Sequence, residues 1–237
     1  MSIPAFVICR DLVTWLKRTV AGLEAQPGIG PIYLVDNDSS YPKLLAYYRT
    51  TPHTVIRLGG NYGKRGPWKR GIIRRHAGDN PFIVTDPDIE PMESCPDDWL
   101  EHFLEALDRY PDIAKVGFGL HLDDLPAKYQ FRAEVLQRSR QFEDPKHLTP
   151  CGEFYRIPLD TTLAVYRAGT PYCTTPALRS AAPYQARHLA WYLNSAKPSK
   201  EVLYYRNHAD QKFGHWAKSR LPKRLAKHLG RDFGPSA

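Results

Sequence analysis

An α/β fold with an open, mostly parallel sheet flanked by helices is the architecture this chain predicts. Three observations carry that expectation. Short apolar, β-prone runs alternate with helical periodicities through the first 120 residues. Two of those runs end in acidic turns. The 42% hydrophobic content of 237 residues supplies a core for one large domain. In such sheets ligands bind in the crevice beyond the carboxyl ends of the strands, so both acidic turns are expected to face one cleft.

Ala5-Phe6-Val7-Ile8-Cys9 reads as the first buried strand. Leu12, Trp15, Leu16, Val20 and Leu23 then recur at helical spacing through Glu24. Gln26-Pro27-Gly28-Ile29-Gly30-Pro31 is turn chemistry that closes this helix. The second strand is expected over 32–35, a short helix over 42–48 and a third strand over 54–58. A glycine-rich loop over 59–66 leads into a basic helix over 67–76, and the fourth strand follows at 82–85. Trp99, Phe103, Leu104 and Leu107 pattern a helix ending near Tyr110-Pro111, and 114–118 reads as a fifth strand. Beyond about Leu120 the pattern loosens. A charged helix is expected over 128–142, a loop over 144–153, short strands at 155–157 and 162–166, and coil over 169–183.

The chain shows no internal repeat, no low-complexity tract, and no apolar run near the ~18 residues that span a bilayer. Met1-Ser2-Ile3-Pro4 lacks a basic leader region and runs straight into a strand, so no signal peptide is expected. Cys9, Cys95, Cys151 and Cys173 are scattered without a C-x-x-C pair, which argues for reduced thiols in a cytoplasmic protein rather than a zinc site or disulfide framework. The formal charge of +8 suits an anionic partner: a nucleotide diphosphate, nucleic acid or an acidic membrane surface.

Chemistry enters at Asp86-Pro87-Asp88, directly after Phe82-Ile83-Val84-Thr85. Two carboxylates flanking one residue at a strand end can hold a hard divalent cation, Mg²⁺ or Mn²⁺, that carries a diphosphate. The proline fixes φ and stiffens the turn. Asp and Pro also populate ordinary surface turns. The second acidic turn, Val35-Asp36-Asn37-Asp38-Ser39-Ser40 after Ile32-Tyr33-Leu34, moves the balance toward a site.

In order, Val35-Asp36-Asn37-Asp38-Ser39-Ser40, Asn61-Tyr62-Gly63 and Asp86-Pro87-Asp88 resemble the motifs of GT-A fold glycosyltransferases, particularly the broad family 2. The resemblance covers roughly residues 3–120 and, more loosely, 150–210. It implies one domain over 1–210, with a nucleotide-sugar half at 1–120 and an acceptor half at 121–210, followed by a basic tail at 211–237. It also implies transfer of a sugar, of hexosyl type and with inversion, from a nucleotide diphosphate, UDP being the commonest carrier, to an acceptor hydroxyl on a glycan or lipid-linked molecule. Under it, Asp36 accepts from the nucleobase, Asn61 belongs to the nucleotide loop, Asp86 approaches ribose or metal, and Asp88 binds Mn²⁺ or Mg²⁺. Lys64, Arg65, Lys69 and Arg70 would add positive charge beside the phosphates, or else form a solvated helix face.

An inverting transferase needs a base near the acceptor hydroxyl. Asp160, in Pro158-Leu159-Asp160-Thr161-Thr162-Leu163, is the best candidate and could equally be a turn carboxylate; Glu153 and Asp144 are poorer ones. Family members also recruit a late histidine to the metal or diphosphate, which points to His188, with His208 as the other candidate. A sugar-phosphate nucleotidylyltransferase is the second reading, weakened because Cys9-Arg10-Asp11-Leu12 offers no glycine-rich triphosphate loop. A basic nucleic-acid-binding protein is the third, through stacking by Tyr47-Tyr48-Arg49 and Tyr204-Tyr205-Arg206. In the tail, Leu221, Leu225 and Leu229 beside seven Lys and Arg suggest a helix that caps the core or lies on an anionic membrane.

Overall fold

The computed structural model describes residues 2–160 and 162–208. The tail expected over 211–237, with its membrane reading, lies outside the described residues. The first half alternates as the sequence predicts, except that the basic helix expected over 67–76 breaks in two at Gly71, whose φ is 67°: β1 (Ile3–Cys9), α1 (Thr14–Ala25), β2 (Ile29–Asp36), α2 (Pro42–Tyr48), β3 (Thr54–Arg57), α3 (Gly66–Lys69), α4 (Ile72–Ala77) and β4 (Phe82–Thr85). Then come β5 (Ile89–Pro91), α5 (Trp99–Arg109), β6 (Lys115–Gly117), β7 (Gly119–Leu120), α6 (Arg132–Arg140), β8 (Phe154–Arg156), β9 (Ala164–Tyr166), β10 (Ala177–Ser180), β11 (Gln185–His188) and α7 (Lys200–His208).

Eight strands form one sheet in the order β3-β2-β1-β4-β9-β6-β10-β8, and β5-β11-β7 form a small second sheet. β1 lies between β2 and β4, parallel to both. All seven of its residues are buried, because helices cover both faces of the sheet. Alternation along the strand divides the core in two. Ala5, Val7 and Cys9 pack with Leu16, Leu23, Leu34, Leu44 and Phe103 under α1, α2 and α5. Phe6 and Ile8 pack with Val35, Ile72, Ile73 and Phe82 under α4.

The sheet departs from a purely parallel order at β9, which runs antiparallel between β4 and β6, and at β8, antiparallel to β10. The helix expected over 128–142 shortens to α6, which buries no residue. The coil expected over 169–183 contains β10. β5, β7, β10 and β11 escape the sequence pattern because two to four residues register no periodicity and none of the four is a continuous apolar run.

The last described helix is tied to the first. The side chain of Glu201 accepts from Val13 N, from Thr14 N at 2.9 Å and from the Thr14 hydroxyl at 2.6 Å. It therefore supplies the N-terminal cap that α1 lacks locally. Arg10 donates to the His208 carbonyl at 3.0 Å, and the Tyr204 hydroxyl donates to Ser40 at 3.1 Å. These bonds lay α7 along the carboxyl edge of β1 and β2, beside the acidic turns.

One core residue works against stability. Lys115 is 1% exposed, its ammonium 3.1 Å from the Tyr166 hydroxyl and 4.9 Å from that ring's centre. Burial pushes it down to about 8. Because the folded pKa lies below the unfolded one, the unfolded chain holds an extra proton between about pH 8 and 10.5, and stability rises with pH across that window. Below it the full penalty stands, on the order of 3 kcal/mol. Lys115→Met removes that penalty and one hydrogen bond worth about 1 kcal/mol. The expected result is a variant more stable by about 1–2 kcal/mol at pH 7, with the difference shrinking as pH rises to 10. Urea unfolding of both proteins at the two pH values checks it.

Candidate functional site

The turn Asp86-Pro87-Asp88 joins the two sheets: β4 delivers it and β5 leaves it. β5 pairs antiparallel with β11, which sets Ile89 opposite His188, and Leu189 N donates to the Asp88 carbonyl at 2.7 Å. A histidine one hundred residues later thereby meets the turn, its Nε2 3.6 Å from Asp88 Oδ2. Both side chains are buried, Asp88 at 4% and His188 at 5% exposure. The alternative of an ordinary surface turn does not describe Asp88, because pairing between β5 and β11 draws it inside.

Burial raises the Asp86 and Asp88 carboxyls above the usual carboxylate range, and for Asp86 the charge of Asp88 adds to the effect. Burial drives His188 the other way, down to about 4, so its imidazole is neutral near pH 7. Its ring stacks on Trp191 with centres 4.7 Å apart. Asp88 Oδ1 and His188 Nδ1 are buried with no hydrogen-bond partner. Orphaned polar atoms carry a desolvation cost of about 1–3 kcal/mol each and mark a place where a ligand belongs.

These groups fit a partial cation site. Among the described residues no three His, Cys, Asp or Glu side chains form a complete cage. Mg²⁺ in nucleotide enzymes asks for less, since one or two carboxylates hold it and substrate phosphates complete the shell. Asp86 also faces Lys64, Trp68, Asp160, Tyr166 and Tyr172 across a cleft of about 20 Å³, room for one water-sized species.

Asp160 and Lys64 form an ion pair in that cleft, both about half exposed. The Tyr172 hydroxyl donates to Asp160 Oδ1 at 3.1 Å. The structure therefore brings Asp160, Lys64, Asp86, Asp88 and His188 into one neighbourhood. Arg65 sits beside it, over the Tyr172 ring at 4.9 Å. The other late histidine, His208, stacks on Tyr204 and bonds to that residue's carbonyl, with no ion pair or hydrogen bond to either aspartate. Glu153 pairs with Arg109, and Asp144 caps the turn at Lys146, so neither enters the cleft.

Asp36 behaves differently from the motif's expectation. It is 0% exposed. Its Oδ1 accepts from Tyr48 at 2.8 Å, and its Oδ2 lies 3.2 Å from both Ser39 N and Arg57 Nε. Its outward neighbour is the half-exposed Arg57 side chain. Asn37 is a residue the sequence reading passed over. Its side chain accepts from Tyr62 N at 3.0 Å and donates to the Gly63 carbonyl at 3.2 Å, which pins the glycine-rich loop to the second acidic turn. A Cβ on Gly66 would stand 2.8 Å from Leu58 and 3.2 Å from Asn37 Oδ1, so only glycine lets the loop close on that anchor. Asn61 Oδ1 accepts from Gly63 N at 3.0 Å, while its Nδ2 is buried without a partner.

A larger hollow, about 320 Å³, lies at the opposite ends of β2 and β3 between Leu23, Pro31, Pro52 and His53. Its carboxylate, Glu24, is paired with His53 at 3.1 Å, and the acidic turns lie at the other edge of the sheet.

No protein-family model and no curated protein sequence matches this chain. Solved structures do. Over 98% of its length the chain aligns with TarS from S. aureus, at TM-score 0.50 and 13% identity, spanning 43% of that protein. This chain has the GT-A glycosyltransferase fold. Two more distant likenesses flank it. The mannosyltransferase PcManGT from Pyrobaculum calidifontis, solved with GDP-Man and Mn²⁺, aligns at TM-score 0.47 and 14% identity over 96% of this chain and 68% of that one. A CMP:2-keto-3-deoxy-manno-octonic acid synthetase solved with CTP aligns at 0.41 and 9% identity over 86% and 82%. Within the GT-A fold the acidic turns occupy the carboxyl edge of the parallel strands, where the fold binds ligands.

Proposed function

We propose that this protein is a metal-dependent glycosyltransferase that moves a sugar from a nucleotide diphosphate to an acceptor hydroxyl with inversion. The observation that carries the reading is the meeting of Asp86, Asp88 and His188 with Lys64 and Asp160 at one end of a GT-A sheet. Asp86, Asp88 and neutral His188 would hold Mn²⁺ or Mg²⁺, which supplies Lewis-acid stabilisation of the charge on a departing diphosphate. Lys64 and Arg65 add fixed positive charge beside the phosphates. Asn61 offers its unpartnered amide to the nucleotide, and Asp36 meets the base once Arg57 moves aside. Asp160 takes the proton of the acceptor hydroxyl, with its orientation set by Tyr172. UDP is the proposed carrier, and a glycan or lipid-linked molecule the acceptor.

Neither aromatic pair favours the nucleic-acid reading. Tyr48 is spent on Asp36, Lys17 covers Tyr47 at 5.1 Å, Tyr204 packs between Tyr41 and His208, and Arg206 is buried. No described helix is long and apolar enough to cross a membrane.

A ligand that binds only the native state raises the melting temperature. UDP, GDP and dTDP, each with and without Mn²⁺, provide the test. One diphosphate is expected to stabilise the protein in the presence of Mn²⁺ and little in its absence. CTP stabilising where every diphosphate fails would transfer the site to nucleotidyl transfer.

A further inference from the structure

Between Asp38 and Asp79 the chain carries nine Lys and Arg and no Asp or Glu. Arg57 is paired with Asp36 and Lys64 with Asp160. Lys43 lies in α2 and Arg49 directly follows it, and Leu44 of that helix packs on the opposite face of the sheet. The remaining five, Arg65, Lys69, Arg70, Arg74 and Arg75, crowd into eleven residues along α3 and α4. All five are exposed, and none has a carboxylate partner among the described residues. The helices are held from beneath by Ile72, Ile73 and Ala77, which sink into the core and leave the outer side wholly basic. Like charges so close repel one another, and among the described residues no carboxylate offsets them.

This surface opens into the cleft. Arg65 covers Tyr172, and Tyr172 donates to Asp160. Trp68, between Arg65 and Lys69, forms the cleft wall and donates to the Thr170 carbonyl at 3.0 Å. A molecule reaching Asp160 can thus continue over α3 and α4. Four of the five cations are arginine, whose planar fork meets phosphate oxygens in pairs. A bilayer is the poorer fit, since Leu148, well away in sequence, is the exposed large apolar side chain among the described residues. Base stacking is also poorly served. Of the rings along this surface, Tyr62 and Tyr172 already carry Arg70 at 5.2 Å and Arg65 at 4.9 Å, and Trp68 packs against Phe82, Tyr166 and Tyr172.

We infer that the α3–α4 surface binds a soluble chain of repeated phosphate groups, and that such a chain is the acceptor class of the neighbouring site; the acceptor part rests on the glycosyltransferase reading. An abasic phosphodiester oligomer is the probe, titrated against the full chain at several salt concentrations. Binding is expected to weaken steeply with salt, as counterion release requires. Arg74→Glu with Arg75→Glu, remote from the cleft, should lower affinity by about tenfold or more, and Lys223→Glu with Arg224→Glu, an equal change of net charge, should lower it much less. Stabilisation by nucleotide and Mn²⁺ should be the same in all three proteins, and the oligomer should leave nucleotide affinity unchanged.

Equal losses from the two pairs would reduce the effect to net charge and overturn the inference. So would an oligomer that competes with the nucleotide, because it would then merely occupy the diphosphate position. A thymidine oligomer binding about tenfold tighter than the abasic one would make this a nucleic-acid surface. Anionic vesicles captured through Arg74 and Arg75 while the oligomer is ignored would make it a membrane face. If no nucleotide binds but the oligomer depends on Arg74 and Arg75 as stated, the transferase reading falls and the phosphate surface stands without it.

Discussion

Asp88→Asn is expected to abolish Mn²⁺-dependent nucleotide binding and leave the protein folded. The loss follows from the ligand set. A cation held by two carboxylates and a neutral imidazole loses half its formal anionic charge when Asp88 becomes an amide, and hard cations rank amide oxygen well below carboxylate. Groups one shell further out already cost about 10–100-fold when removed, so a direct ligand should cost more than about 100-fold in apparent affinity. Folding is spared for a reason visible in the structure. Asp88 is 4% exposed, its Oδ1 has no partner, and burial raises its pKa. Asn has the same shape and no charge to desolvate, so the variant should melt at or above the wild-type temperature. Calorimetric titration of UDP with Mn²⁺, beside a melting curve without ligand, separates the two effects. Unchanged affinity in a folded Asp88→Asn protein would remove the metal assignment.

The same turn shows how far the sequence could be read. β1 and β4 are legible because each is a continuous apolar run closed by a polar or acidic break, a pattern set by burial on both faces. The acidic turns were legible as chemistry because their position after such strands is local information. What could not be read is whatever depends on pairing across the chain. That Asp88 is buried follows from β11 joining β5, two elements of four and three residues with no periodicity of their own. His188 stood out only as a histidine with aromatic neighbours; its place beside Asp88 is a consequence of that pairing. Asn37 is hidden because an asparagine in an acidic turn looks like turn chemistry, whereas its partners Tyr62 and Gly63 are twenty-five and twenty-six residues on. Asp36 gave the opposite result. Its position fitted the motif, yet Tyr48 and Arg57 surround it, and neither is predictable from the turn itself.

Lys64 and Asp160 raise a further point, because their ion pair defines what the second substitution should do. In the structure Asp160 is bound to Lys64 on one oxygen and Tyr172 on the other. Lys64 is thus held at Asp160, although the charge of Asp86 also lies within its field. On the proposed reading, a diphosphate entering beside Asp86 would compete for that ammonium. Lys64 would then turn to the phosphates and leave the Oδ2 lone pairs of Asp160 free to accept a proton. Donor first, acceptor second is the order that reading predicts.

Asp160→Asn is therefore expected to depress kcat by about 10²–10⁴, the usual cost of removing a general base, while donor affinity holds or improves. It improves if Lys64, released from its partner, is free for the diphosphate from the start. Stability should change little, since both members of the pair are about half exposed and exposed ion pairs contribute about 0–1 kcal/mol. A group needed only in the transition state lowers kcat and kcat/KM together. Tyr172→Phe provides the complementary measurement. It removes one hydrogen bond from Asp160 while keeping the ring under Arg65, so turnover should fall by a smaller factor with donor KM unchanged. If Asp160→Asn keeps turnover within about tenfold of wild type, the base lies elsewhere and the carboxylate serves only to hold Lys64.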